Sequence, residues 1–158
     1  DQKEHPVMIL IPGNQVTYRE ADKDFNRLNH FKVEEAGEKV AILALGDFYQ
    51  RGEQLSAKIK AEFGFTPTLI NPRFASGIDK ELLESLSERH QMVITMEDGI
   101  LSGGFGEKIA SFYGSSDMKV KNYGLDKKFY DRYDPNELLK EVGMTPVQII
   151  ADICNQIK

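Results

Sequence analysis

Val40-Ala41-Ile42-Leu43-Ala44-Leu45, followed at once by Gly46-Asp47, is an unbroken apolar run that ends in a turn. A strand with one wet face alternates apolar and polar residues, whereas a strand covered on both faces has no need to. The run therefore predicts a central strand with helices on either side of its sheet. Asp47 is placed to cap a helix extending to about Phe63, with Leu55, Ile59 and Phe63 recurring every four residues on its inner face. Gly64 ends that helix.

The same unit then recurs. Thr68-Leu69-Ile70 reads as a strand that leads out through Asn71-Pro72-Arg73-Phe74. Asp79 caps a helix whose Leu82, Leu83 and Leu86 face inward. Met92-Val93-Ile94-Thr95-Met96 is a third strand, with Glu97-Asp98-Gly99 at its C-terminal end. Ser102-Gly103-Gly104 opens a helix carrying Phe105, Ile109 and Phe112, closed by Gly114, and a weaker strand begins near Met118. Two helix starts follow, Asp134-Pro135-Asn136-Glu137 and Thr145-Pro146-Val147-Gln148. Each has a capping residue, Pro at the first helical position and an acid or amide at the third. The first buries Leu138, Leu139 and Val142; the second carries Ile149, Ile150, Ile153 and Ile157. Strands alternating with helices at this spacing predict a three-layer α/β/α sandwich on a mainly parallel sheet of about five strands.

Composition narrows the function. The 158 residues include 20 basic and 25 acidic ones, for a net charge of −5. Nucleic-acid binding wants Lys and Arg gathered on one face. The densest basic groups here, Lys119 with Lys121 and Lys127 with Lys128, are short and interrupted, so no nucleic-acid partner is expected. The run from Val40 to Leu45 falls far short of the roughly 20 apolar residues that span a bilayer. A single cysteine, Cys154, excludes an internal disulfide and a thiolate-rich metal site. No secretory leader opens the sequence as given, so a cytoplasmic location is expected.

Few residues invite chemistry. His5, His30 and His90 lack metal-ligand spacing and are read as surface or hydrogen-bonded residues. Cys154 lies among isoleucines and is read as a small core residue. Ser102-Gly103-Gly104-Phe105-Gly106 resembles a phosphate loop at a helix start, but it matches neither the dinucleotide nor the Walker pattern. The plainer reading is that its glycines let the helix start lie close to a neighbouring backbone. Glu97 and Asp98 end a central strand, where α/β proteins place ligands. With no base, nucleophile or metal partner in sight, the plainer reading is a polar network with Arg73 along that edge. Arg73, Glu97, Asp98, Ser102, Gly103 and Gly104 thus form the candidate polar or anion site, with no catalytic, cofactor or metal residue assigned.

Upstream, Val7-Met8-Ile9-Leu10-Ile11 is a short apolar segment stopped by Pro12-Gly13-Asn14, with nothing beside it that looks like a pairing partner. The chain is expected to begin inside a larger polypeptide. Residues 1–15 close a preceding domain, 16–38 are a polar linker, and 39–158 are the α/β domain.

These residues resemble a known family. Thr68 to Phe74 with Gly77 to Leu83 looks like the "D-x-R-F-x-x-P-L-D-x-x-L" stretch of thiamine-dependent synthases. His90, Val93 to Gly99 and Gly103 to Gly106 resemble "H-x-x-V-T-x-E-E/D-…-G-G-F-G". From about Lys39 to Lys158 the chain is similar to the C-terminal domain of the 1-deoxy-D-xylulose-5-phosphate synthases, relatives of transketolase. The resemblance implies a dimeric parent enzyme that condenses pyruvate with glyceraldehyde 3-phosphate, losing CO2, on thiamine diphosphate and Mg2+. Its product feeds isoprenoid, thiamine and pyridoxal pathways. It also implies that the cofactor lies between the first two domains, and that this third domain buttresses them and is inactive alone. The family's "R-x-P-G" turn, whose arginine helps hold the substrate phosphate, is Leu10-Ile11-Pro12-Gly13-Asn14 here. Leucine cannot replace a guanidinium fork. Either another cation makes that contact or the acceptor differs. Ser76-Gly77 also stands where Pro is common. Two alternatives stay open: the matching domain of another transketolase-type or 2-oxoacid dehydrogenase enzyme, and an independent anion-binding module. On the latter reading Gly104→Val abolishes binding and leaves the fold intact.

Overall fold

A computed structural model describes residues 29–157 together with Met8. The expected closing strand of a preceding domain, the Leu10 to Asn14 turn and most of the linker lie outside the described residues.

The sheet is built from β1 (Lys32–Glu35), β2 (Lys39–Ala44), β3 (Thr68–Asn71), β4 (His90–Ile100) and β5 (Lys119–Leu125). Its order is β1-β3-β2-β4-β5, parallel throughout except that β1 runs antiparallel to β3. The helices are α1 (Tyr49–Phe63), α2 (Lys80–Leu86), α3 (Phe105–Tyr113), α4 (Pro135–Glu141) and α5 (Pro146–Ile153). None is long and apolar enough to cross a membrane among the described residues.

Strand periodicity divides the core in two. Val40, Ile42 and Ala44 of β2 join Met92, Ile94 and Met96 of β4 beneath α1, α4 and α5. Ala41, Leu43 and Val93 point to the other face, where α2 and α3 supply Leu83, Leu86, Phe105 and Ile109. Residues 40–44 are wholly buried, so the apolar run does mark a strand with two dry faces. Asp79, Asp134 and Thr145 cap α2, α4 and α5 as expected, and Thr145 with Gln148 forms a full capping box. Gly64 ends α1 in the left-handed conformation at φ 74°.

Two local readings are corrected. Asp47 does not cap α1, because Gly46–Phe48 forms a tight 3-10 turn that seats Phe48 in the core and leaves Asp47 exposed. The helix starts one residue later, with Phe48 at its N-cap and no side-chain cap. The stretch assigned to the linker contains β1, the sheet's fifth strand. Phe31, just before it, is 6% exposed and stacks against Phe74 and Phe105 at 5.2 and 5.9 Å. Its N–H donates to Asp79 Oδ2 at 2.8 Å. The polar surroundings of Phe31 hid this anchor, because an edge strand with one wet face needs few apolar residues. Cys154 is partly exposed rather than fully enclosed, and its thiol donates to the Ala151 carbonyl at 3.2 Å.

His90 opens β4 and ties together three elements. Nδ1 lies 2.9 Å from the Leu86 carbonyl, which can only accept, so Nδ1 carries the proton. Nε2 then accepts from the Thr68 hydroxyl at 2.8 Å, and Thr68 Oγ1 accepts from the Gly37 N–H. Burial holds the imidazole below its ordinary value, because the charged form loses hydration. The unfolded chain therefore binds the extra proton first as pH falls. This contribution to stability is complete above about pH 6.5 and is lost on acidification through the lowered value. Urea midpoints measured from pH 7.5 to 5 should fall more steeply for the natural chain than for His90→Gln. Parallel slopes would refute the assignment.

Candidate functional site

Period-two alternation aims the end of β4. Val93, Thr95 and Glu97 point to the same face, the one covered by α3. Thr95 donates to Asn122 Oδ1 of β5 at 2.8 Å. Two residues on, Glu97 is 5% exposed and lies under the first turn of α3. Its Oε2 accepts from the Phe105 N–H at 2.9 Å and its Oε1 from the Gly106 N–H at 2.8 Å. The register between β4 and β5 breaks between Met96 and Ile100, so the chain bends as it leaves this acid.

The glycines follow from that contact. A Cβ on Gly104 would stand 2.6 Å from the Ile100 carbonyl oxygen and 2.7 and 2.8 Å from the two Glu97 oxygens. A Cβ on Gly106 would stand 2.5 Å from Thr95 Oγ1 and 2.8 Å from Asn122 Cγ. Gly103 has open space around it but adopts φ +77°, which glycine accepts without strain. The plainer reading of the motif describes what these residues do: they let the start of α3 settle onto a strand end. Gly104→Val would not leave the fold intact, and that expectation is corrected by the same distances.

The free N–H groups of a helix start, with the positive end of its dipole, form a ready anion site. Here the protein supplies the anion. Glu97 takes the Phe105 and Gly106 N–H groups, and Glu107 Oε2 takes that of Gly103. Two carboxylates at the mouth of α3 would also repel a pyrophosphate. The described residues thus offer no cradle for thiamine diphosphate, and among them no group of three or more His, Cys, Asp or Glu could hold a metal ion.

The other candidates disperse. Asp98 and Ser102 are exposed. Arg73 follows β3, on the far side of β2 from Glu97, in a left-handed conformation at φ 63°. Its own N–H donates to Asn71 Oδ1 at 3.0 Å. Glu97, Gly103 and Gly104 are brought together; Asp98 points outward, and Glu97 spends its carboxylate on α3. Thr95, Asn122 and Gly124 complete the arrangement and escaped sequence reading. A Cβ on Gly124 would meet Leu101 Cδ2 at 2.8 Å and the Gly99 oxygen at 3.0 Å. Only a parallel β4–β5 pair puts these residues side by side.

Comparison with known proteins accords with this geometry. The sequence profile described as "Transketolase, C-terminal domain" matches residues 29–149. Among curated relatives, the 1-deoxy-D-xylulose-5-phosphate synthase of Shouchella clausii is 32% identical over 156 residues, covering 96% of this chain and 25% of its own length. That of a Synechococcus strain is 34% identical over 153 residues, covering 94% and 24% respectively. The chain therefore spans about a quarter of the relatives it matches. A solved structure, "Split gene transketolase, inactive beta4 tetramer", superposes with a TM-score of 0.72 at 23% identity over 82% of this chain and 42% of that one. That likeness speaks to the fold alone. With the family profile spanning the whole sheet from Phe31 onward, and the strand order and glycine-led α3 in place, the chain belongs to the transketolase C-terminal domain family.

Proposed function

We propose that this chain is the C-terminal domain of a 1-deoxy-D-xylulose-5-phosphate synthase and that its own role is structural. The reading is carried by similarity to curated synthases along nearly the whole chain. The complete enzyme would join pyruvate to glyceraldehyde 3-phosphate with loss of CO2, at the head of isoprenoid precursor synthesis. It would work as a cytoplasmic homodimer on thiamine diphosphate and Mg2+ held by its other domains. The closed mouth of α3 supports that division of labour, because the best helix start for a pyrophosphate is already filled by Glu97. Leu10, where the family places an arginine, makes the acceptor aldehyde the part of the reading most worth testing.

Calorimetric titration of the 158-residue chain with thiamine diphosphate and Mg2+ is expected to give no saturable heat up to millimolar ligand, about −4 kcal/mol of binding at most. Saturable binding would overturn the structural role. In the complete enzyme, pyruvate with glyceraldehyde 3-phosphate should release CO2 faster than pyruvate alone or with unphosphorylated glyceraldehyde. Equal rates would sink the proposed acceptor while leaving the family assignment in place.

A further inference from the structure

Residues 126–134, between β5 and α4, hold three aromatic side chains within five positions. Phe129 is 95% exposed and Tyr133 is 53% exposed. Tyr130 lies between them in sequence, its ring 6.2 Å from that of Tyr133 at 79° and beneath Lys128 Nζ at 5.0 Å. Its hydroxyl is shut off from solvent, yet it has no hydrogen-bond partner. A buried hydroxyl gives up its bonds to water on folding, and natural proteins almost always replace them. A fully exposed Phe beside a stranded Tyr hydroxyl is the surface of half an interface. The same residues line a cavity floored by Leu138 and closed by Glu141.

Two facts choose the occupant. The relatives are about four times as long as this chain, so most of such an enzyme lies outside it. The segment also leaves the C-terminal end of β5, the end of the sheet at which Ile100 is 42% exposed. A second copy adding to the sheet at β5 would face Lys119 and Lys121, the kind of charge that blunts an edge strand. We propose that residues 126–134 are the seat of the synthase's remaining domains. Phe129 and Tyr133 bury against an apolar face there, and a carbonyl or carboxylate oxygen accepts the Tyr130 hydroxyl. This rests on the chain being one domain of such a synthase.

Hydroxyl-radical labelling read by mass spectrometry tests it, on the complete enzyme and on the 158-residue chain. Labelling of Phe129 and Tyr133 should fall about tenfold in the complete enzyme, as for residues passing from open surface to an interface core. Tyr130→Phe should leave the melting temperature of the chain unchanged. In the complete enzyme it should raise Phe129 labelling about fivefold, the opening expected from one lost hydrogen bond. Unchanged labelling in a preparation that makes the phosphorylated product would overturn the docking surface alone. Protection of the chain by itself, growing with its concentration, would assign the surface to a second copy and also overturn it. Protection in a complete protein that lacks the synthase reaction would uphold the surface and reject the activity.

Discussion

Gly104→Val is expected to leave little or no folded protein. Its Cβ alone would stand 2.6 Å from a backbone oxygen and under 3 Å from both Glu97 oxygens, before either methyl is placed. The Ile100 carbonyl belongs to the end of β4 and cannot swing away as a long side chain would. Moving Glu97 instead strips two N–H groups of α3 of their acceptor. We expect about 4 kcal/mol or more of destabilisation, a large share of a typical domain's total. That corresponds to a fall in melting temperature above about 10 °C for a domain of this size. Gly104→Ala should show much of the effect, because its Cβ makes all three contacts. Gly103→Ala is the control: there a Cβ meets nothing within 4 Å, and only left-handed strain of about 1 kcal/mol is added. Thermal melts of the three variants should rank in that order. Equal losses at positions 103 and 104 would refute the close-approach argument.

What the sequence made legible depends on how far apart the deciding residues lie. The run at residues 40–45, the Asp79, Asp134 and Thr145 caps and the left-handed Gly64 are settled within a turn or a strand, and all are found in the structure. Asp47 failed as a cap because Phe48, one residue away, has a stronger reason to be buried. β1 was invisible for another reason. Its Lys32, Glu34 and Glu35 read as linker, and only Phe31, fixed by Asp79 forty-eight positions later, shows that the segment is docked. Glu97 was placed at the right end of the right strand and given the wrong partners. Its alternation with Val93 and Thr95 was readable in advance. That α3 covers this face was not, since it depends on the β4–β5 crossover. Tyr130 illustrates a further limit, because an unpartnered hydroxyl is recognised only once its surroundings are known.

Glu97→Ala should cost about 3 kcal/mol, because it leaves two buried N–H groups without an acceptor and a small void beneath α3. Glu97→Gln should cost roughly half as much. Its amide oxygen can serve one of the two N–H groups, while its NH2 opposes the other and the charge favoured by the helix dipole is gone. Thermal melts give both values. The same argument predicts a rescue. With the side chain cut back to alanine, the start of α3 becomes the anion site that its sequence resembles, with two free N–H groups facing a carboxylate-sized void. Formate at tens of millimolar should therefore raise the melting temperature of Glu97→Ala by a few degrees, following the logarithmic gain of any ligand that binds only the folded state. The natural chain should show no such rise, because its own carboxylate already fills the place. If formate or phosphate stabilised both proteins equally, the N–H groups would be reachable with Glu97 in position, and an external anion would then be competing for a site that Glu97 does not close. If neither responded while Glu97→Ala still lost stability, the void would have collapsed onto Gly104, and the carboxylate would count as packing as well as an acceptor. Only a response confined to the variant makes Glu97 a built-in substitute for the anion, which is the arrangement expected of a domain that supports a cofactor site without forming one.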